Sequence, residues 1–287
     1  MQSSRARDLV EKALEAAARL EAPRLEGASE VVIASCPGSE AYGGEYYLAL
    51  RHSGVRALHV PCIEAAVHVL PYSSGGEVVV AFSAGGRDSY LMHLANAAAA
   101  LGLSVSAYGP PLHPAYSDSL AELGVEYHSV EDRSGLALLI APLMWSPKPW
   151  EARRVRLEEE LRGLPDAIYW VRENYSSTIE ILESGEAEYA AYTPTTEPGV
   201  RLVTRYHNAR LVPLSSLERL RGSRIVAFYA SVEEHAYKQA LLSAKLRGVK
   251  IAEARLNTDP LTAPLYIALM GVLALPDSTR QKPLGTR

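Results

Sequence analysis

A chain of 287 residues exceeds the usual size of one domain and suits two lobes of roughly 150 residues, each with a core of its own. A hydrophobic share of 48% with 22% charged residues excludes a largely disordered chain, and a formal charge of -4 does not suggest the basic stripe that a nucleic-acid partner calls for. No apolar run approaches the roughly 18 residues of a membrane span, and Gln2-Ser3-Ser4-Arg5 does not open a leader, so a cytoplasmic protein without a membrane partner is expected.

Residues 6 to 21 place Leu9, Val10, Ala13, Leu14, Ala17 and Ala18 at helical spacing, and Pro23 ends the pattern. A regular alternation follows. Strands are predicted over Val31 to Ser35, Arg56 to Val60, Glu77 to Phe82, Ser104 to Tyr108 and Val125 to Ser129. Helices are predicted between them over Gly43 to His52, Ile63 to Leu70, Ser89 to Leu101 and Tyr116 to Leu123. Short, continuous apolar runs mark strands buried on both faces, which means a parallel sheet covered by helices. Leu136 to Leu143 is apolar, the Trp145 to Trp150 segment breaks the pattern with two prolines, and Glu151 to Leu161 is a charged helix. The second half repeats the theme, with strands at Ala167 to Val171, Glu188 to Tyr192, Arg224 to Tyr229 and Lys250 to Ala254, and helices at Ser176 to Glu183, Val232 to Leu246 and Pro260 to Leu273. The order suggests an internal duplication, although no residue-level repeat is visible.

Side-chain amides are few and the basic residues are mostly Arg, which fits a heat-adapted source; a GC-rich genome explains the Arg bias equally well. Cys36 and Cys62 form no metal-type cluster. Two small, semi-buried thiols is the plain reading. A disulfide stays open, because both residues follow predicted adjacent strands.

In a doubly wound sheet, ligands bind beyond the carboxyl ends of the strands, near the point where strand order reverses. Cys36-Pro37-Gly38-Ser39 and Ser83-Ala84-Gly85-Gly86-Arg87-Asp88-Ser89 occupy such places, each leading from a strand into a helix. Their hydroxyls, glycines and helix-start N–H groups suit a polar or anionic ligand. Asp88 also reads as a helix N-cap.

Cys36-Pro37-Gly38-Ser39-Glu40-Ala41-Tyr42 resembles the Cys-Gly-Thr-Ser-Tyr-like loop of the SIS (sugar isomerase) domain proteins, and Phe82-Ser83-Ala84-Gly85-Gly86-Arg87-Asp88 resembles their Ser-x-Ser-Gly-x-Thr loop. Glu64 falls near their Ser-Glu-Phe segment. This family includes the isomerase half of glucosamine-6-phosphate synthase and the phosphoglucose/phosphomannose isomerases. The resemblance spans residues 28 to 130, and continues beyond them by element order. It implies an α/β fold of two doubly wound lobes, each a parallel five-stranded sheet flanked by helices: an N-terminal helix (1–27), a first SIS domain (28–145), a linker helix (146–165) and a second, degenerate SIS domain (166–287). It also implies a homodimer that binds a sugar phosphate, with Gly38, Ser39, Ser83, Gly85, Gly86, Arg87, Asp88 and Ser89 around the ligand. Gly85 and Asp88 depart from the pattern, standing where the family has a serine and a phosphate-binding threonine.

Aldose/ketose isomerisation needs a base to move a proton between C1 and C2 and an acid to open the ring. Tyr206-His207-Asn208 resembles the His-Asn dipeptide of the phosphoglucose/phosphomannose isomerases, which implies His207 for ring opening. Among Glu186, Glu188 and Glu197 upstream, Glu188 at a strand start is the expected base. Ser231-Val232-Glu233-Glu234-His235 holds the second lobe's place equivalent to the Ser83 loop, lacks glycine, and reads as a helix start. No Glu-x-x-His or His-Glu-x-x-His spacing occurs, so neither metal nor cofactor is expected. Lys282 resembles the synthase's terminal lysine. The expected function is a sugar-phosphate aldose/ketose isomerase using His207 and Glu188; the alternative is a non-catalytic sugar-phosphate sensor. A dinucleotide-binding domain fails for want of Gly-x-Gly-x-x-Gly after the first strand.

Overall fold

A computed structural model describes residues 2–132, 134–146 and 151–275. The chain divides into two compact units. The described part of Lys12–Glu151 forms the N-terminal unit, and the described parts of Met1–Glu11 and Ala152–Lys282 form the C-terminal unit.

After helix α1 (Gln2–Arg19), the N-terminal unit runs β1 (Glu30–Ser35), α2 (Glu40–His52), β2 (Ala57–Pro61), β3 (Glu77–Phe82), α3 (Ser89–Ala100), β4 (Val105–Gly109), α4 (Pro114–Glu122), β5 (Val125–Ser129) and α5 (Leu136–Trp145). The five strands are all parallel, in the order β2-β1-β3-β4-β5. Val31 to Ser35 are buried without alternation, as expected of a strand covered on both faces. On one face Val32, Ala34, Val79 and Ala81 pack with Leu91 and Leu94 of α3. Burying a Leu or Val side chain contributes about 1.5 to 3 kcal/mol, so this layer is a main source of the unit's stability. Residues Ile63 to Leu70, expected as one helix, instead pass through an α-turn (Cys62–Glu64), a π segment (Ala65–Val69) and a 3-10 turn (Leu70–Tyr72) with Pro71 inside it. Proline cannot donate the backbone bond that a continuing helix requires.

The C-terminal unit contains α6 (Glu151–Arg162), α7 (Leu164–Asn174), α8 (Ser176–Glu183), β6 (Tyr189–Tyr192), α9 (Glu197–Tyr206), β7 (Arg210–Pro213), β8 (Arg224–Ala230), α10 (Glu234–Leu246), β9 (Lys250–Leu256) and α11 (Ala263–Leu273). Its sheet has four parallel strands, ordered β7-β6-β8-β9, rather than the five expected. Ala167 to Val171 is not a strand. It lies inside α7, which Pro165 starts at a position where the missing N–H costs nothing. Beside β6, on the side away from β8, lies instead the short β7, which the apolar pattern does not reveal. Ile225, Ala227 and Tyr229 of β8 pack with Leu241 and Ala244 of α10 in this unit's core.

Candidate functional site at the strand-order reversal

In the N-terminal unit the chain order reverses between β1 and β3, which lie side by side and send their connections to opposite flanks. The loops beyond their carboxyl ends therefore border the crevice where doubly wound sheets take ligands. These are Cys36–Ser39 and Ser83–Asp88.

Ser39 is fully buried, and its hydroxyl lies 2.7 Å from the Cys36 carbonyl and 2.6 Å from the Phe82 carbonyl, donating between them. The Cys36 N–H donates to the same Phe82 carbonyl at 2.9 Å. Ser39 thus fastens its loop to the end of β3, and its proton is already committed. Gly38 supplies the backward turn with φ +85, a left-handed conformation that glycine adopts without steric cost. Cys36 and Cys62 form a disulfide with Cα atoms 4.9 Å apart, one residue beyond the Ser35–Pro61 register pair. The reading of two thiols is corrected. Behind the loop, Ser35 Oγ meets His59 Nε2 at 2.8 Å, and a Cβ at Gly43 would fall 2.1 Å from that hydroxyl, so only glycine fits there.

The second loop is organised by Asp88. Its Oδ1 accepts from the Tyr90 and Leu91 N–H groups at 3.0 and 3.3 Å, capping α3 as expected. Its Oδ2 accepts the Ser83 hydroxyl at 2.7 Å. Both side chains are buried, so the Ser83 hydroxyl is also committed. Gly86 presses on the loop after β4, where a Cβ would stand 2.8 Å from the Pro111 carbonyl. Gly85, Arg87, Ser89 and Glu64 are exposed.

The residues expected to carry acid–base chemistry belong to the C-terminal unit. Glu188 is exposed and precedes β6, at the amino end of the C-terminal unit's sheet, and its Oε1 accepts from the Arg224 N–H at 3.3 Å. His207 follows α9, which returns to that same end before β7 begins. Its Nε2 donates to the Gly271 carbonyl at 2.9 Å. Burial pushes its pKa below the usual imidazole value, against the smaller opposing effect of bonds to the Gly271 and Leu182 backbone. Within their own unit, both residues stand at the end of the strands opposite the β6 and β8 loops. Glu186 pairs with Arg224, and Glu197 with Arg201. Lys282 lies outside the described residues.

The C-terminal unit contains a second copy of the loop pair, which the sequence analysis does not anticipate. Thr196 Oγ1 donates to the Phe228 carbonyl at 3.0 Å and lies 3.3 Å from the Thr193 carbonyl, reproducing the two contacts of Ser39. Thr193 Oγ1 donates to Glu233 Oε2 at 2.6 Å, and that oxygen also receives the Ala230 N–H at 3.3 Å. The signal is present in the sequence after all: Cys36-Pro37-Gly38-Ser39-Glu40 recurs as Thr193-Pro194-Thr195-Thr196-Glu197, and Val80-Ala81-Phe82 as Val226-Ala227-Phe228.

Several solved structures superpose on most of the chain. The C-terminal domain of glucosamine-fructose-6-phosphate aminotransferase from Francisella tularensis superposes with a TM-score of 0.65 at 15% identity, covering 95% of this chain and 93% of that one. The chain has the sugar isomerase fold. Glucosamine-6-phosphate deaminase from Thermotoga maritima shares it with a TM-score of 0.67 at 12% identity, over 96% and 93% of the two chains. Tagatose-6-phosphate ketose/aldose isomerase from Escherichia coli shares it with a TM-score of 0.60 at 12% identity, over 99% and 90%. No family model and no curated protein sequence matches the chain. Among the described residues, no helix of this sugar isomerase fold is long and apolar enough to cross a membrane.

Proposed function

We propose that the chain binds a sugar derivative at the β1/β3 reversal, between the Cys36–Ser39 and Ser83–Ser89 loops, and works as a sensor or carrier rather than through Glu188 and His207. One observation carries this reading: Ser39 ties the first loop to the last carbonyl of β3, so the two loops form one rigid polar surface at the switch point of the sheet. The sugar class is that of the similar structures, an aminotransferase, a deaminase and an isomerase named for sugar phosphates. Ser39 and Ser83 act as the frame of the site. Gly85, Gly86, Arg87 and Ser89 offer the groups that meet the ligand, and Asp88 sets its charge preference. This role calls for neither metal nor cofactor. The two units are read as two copies of one lobe, the second lacking a strand, in a homodimer of a heat-adapted cytoplasm. A buried disulfide in an intracellular protein suits such a source.

The second reading is a sugar-phosphate aldose/ketose isomerase, favoured by the likeness to the tagatose-6-phosphate enzyme. Incubating the whole chain with hexoses, hexosamines and their 6-phosphates separates the two. The sensor reading expects a raised melting temperature with at least one sugar, because a ligand bound only by the folded state stabilises it, and no product by coupled assay. Turnover that disappears in His207→Ala would overturn it in favour of the isomerase.

A further inference from the structure

The helix start and hydroxyls that would cradle an anion at the β1/β3 reversal are already used by one. Asp88 spends one oxygen on the Tyr90 and Leu91 N–H groups and the other on the Ser83 hydroxyl. These are the kinds of donor that an anion at a helix N-terminus draws on. The C-terminal unit does the same by a different route, with Glu233 taking the Thr193 hydroxyl and the Ala230 N–H. Two loops of different sequence thus arrive at one solution, a carboxylate of the chain itself fixed beside the strand ends. Arg87, the adjacent cation, is exposed and forms no ion pair among the described residues, so it does not neutralise Asp88. A phosphate brought to this loop would meet a like charge at close range and find the N–H groups and the hydroxyl taken.

We propose that Asp88 is the specificity-determining residue of the site: it occupies the anion position, so the crevice accepts an unphosphorylated sugar, neutral or bearing an ammonium group, and turns sugar phosphates away. This rests on the sugar-binding reading above. A carboxylate fixed beside the strand ends favours a neutral or cationic ligand over an anionic one through its charge.

Calorimetric titration of the whole chain with glucose, glucosamine and the 6-phosphate of each tests the assignment. The wild type is expected to bind a parent sugar at least tenfold more tightly than its phosphate. In Asp88→Asn the amide oxygen still caps α3 while the charge is gone, and the preference is expected to shift toward the phosphate by at least tenfold. Asp88→Ser, which also caps a helix, is the second variant if the first folds poorly. A wild type that prefers the phosphate, or variants with an unchanged ratio, would overturn the assignment while leaving sugar binding intact. If neither the wild type nor the variants bind any of the four compounds, the sugar-binding reading itself falls and the assignment falls with it. Phosphate binding that appears only in the variants supports it.

Discussion

Breaking the Cys36–Cys62 cross-link is expected to weaken the N-terminal unit by an amount that chain statistics set. The two residues are 26 apart in sequence, and both sulfurs are buried. Closing a loop of that length in the unfolded chain removes entropy worth roughly 3.5 kcal/mol at room temperature. Guanidinium unfolding of the wild type, followed with and without reductant, gives the value directly. The transition of the unit that carries the disulfide should lose about 3 kcal/mol on reduction. A Cys36→Ala, Cys62→Ala double variant should sit near the reduced value and ignore the reductant. Because Cys36 opens the loop that Ser39 anchors, the same variant should also bind the sugar ligand less tightly. Two thiols titrating in the unreduced, denatured wild type, or a reductant effect below about 1 kcal/mol, would refute the reasoning.

Glu45 on α2 is fully buried, with neither carboxylate oxygen hydrogen-bonded, and burial raises its pKa well above the usual value of 4.5. The unfolded chain therefore releases this proton near the ordinary carboxylate range while the fold retains it, and stability falls by about 1.4 kcal/mol per pH unit above that range until the buried group ionises. Glu45→Gln should flatten that slope in urea denaturation between acid and neutral pH, and a slope parallel to the wild type would contradict it. Gly199→Ala should destabilise the C-terminal unit by about 3 kcal/mol, since the added Cβ would lie 2.3 Å from the Pro264 carbonyl oxygen, a backbone atom with no easy escape. A denaturation midpoint within about 0.5 kcal/mol of the wild type would show that α9 and α11 do not approach so closely.

The N-terminal sheet was legible because its strands are continuous apolar runs separated by clear turns. Glu77–Phe82 and Val125–Ser129 fall where the pattern places them. The C-terminal unit was less legible, for physical reasons. A five-residue apolar run such as Ala167 to Val171 serves equally as a strand or as one face of a helix, and only Leu164-Pro165 before it points to the helix. Arg210–Pro213 has an arginine at one end and a proline at the other, so it is a strand by pairing with β6 rather than by its own pattern. The disulfide depends on a register that apolar runs leave open, since a one-residue slip would separate the two cysteines across the sheet. At the site, the loops and the Asp88 cap could be foreseen. The commitment of both serine hydroxyls could not, because it depends on carbonyls that only the fold brings near.

That commitment changes what the loop residues mean. A serine in a glycine-bearing loop beside a helix start looks like a free hydroxyl for a ligand, yet Ser39 and its counterpart Thr196 spend theirs on the carbonyls of Phe82 and Phe228. Buried hydroxyls seek such partners because leaving one unsatisfied costs about 1 to 3 kcal/mol. The recurrence of this bond in both units marks it as part of the fold's architecture, holding the loop after one central strand against the end of the next. If the proposed site binds a sugar, its preference comes from what the loops add to that shared frame. In the N-terminal unit the addition is a carboxylate on a helix start, and in the C-terminal unit a carboxylate reaching back from a short turn. Two copies that differ in loop sequence yet agree in the charge they place at the strand ends make the carboxylate, like the hydroxyl-to-carbonyl bond, a feature that both units share.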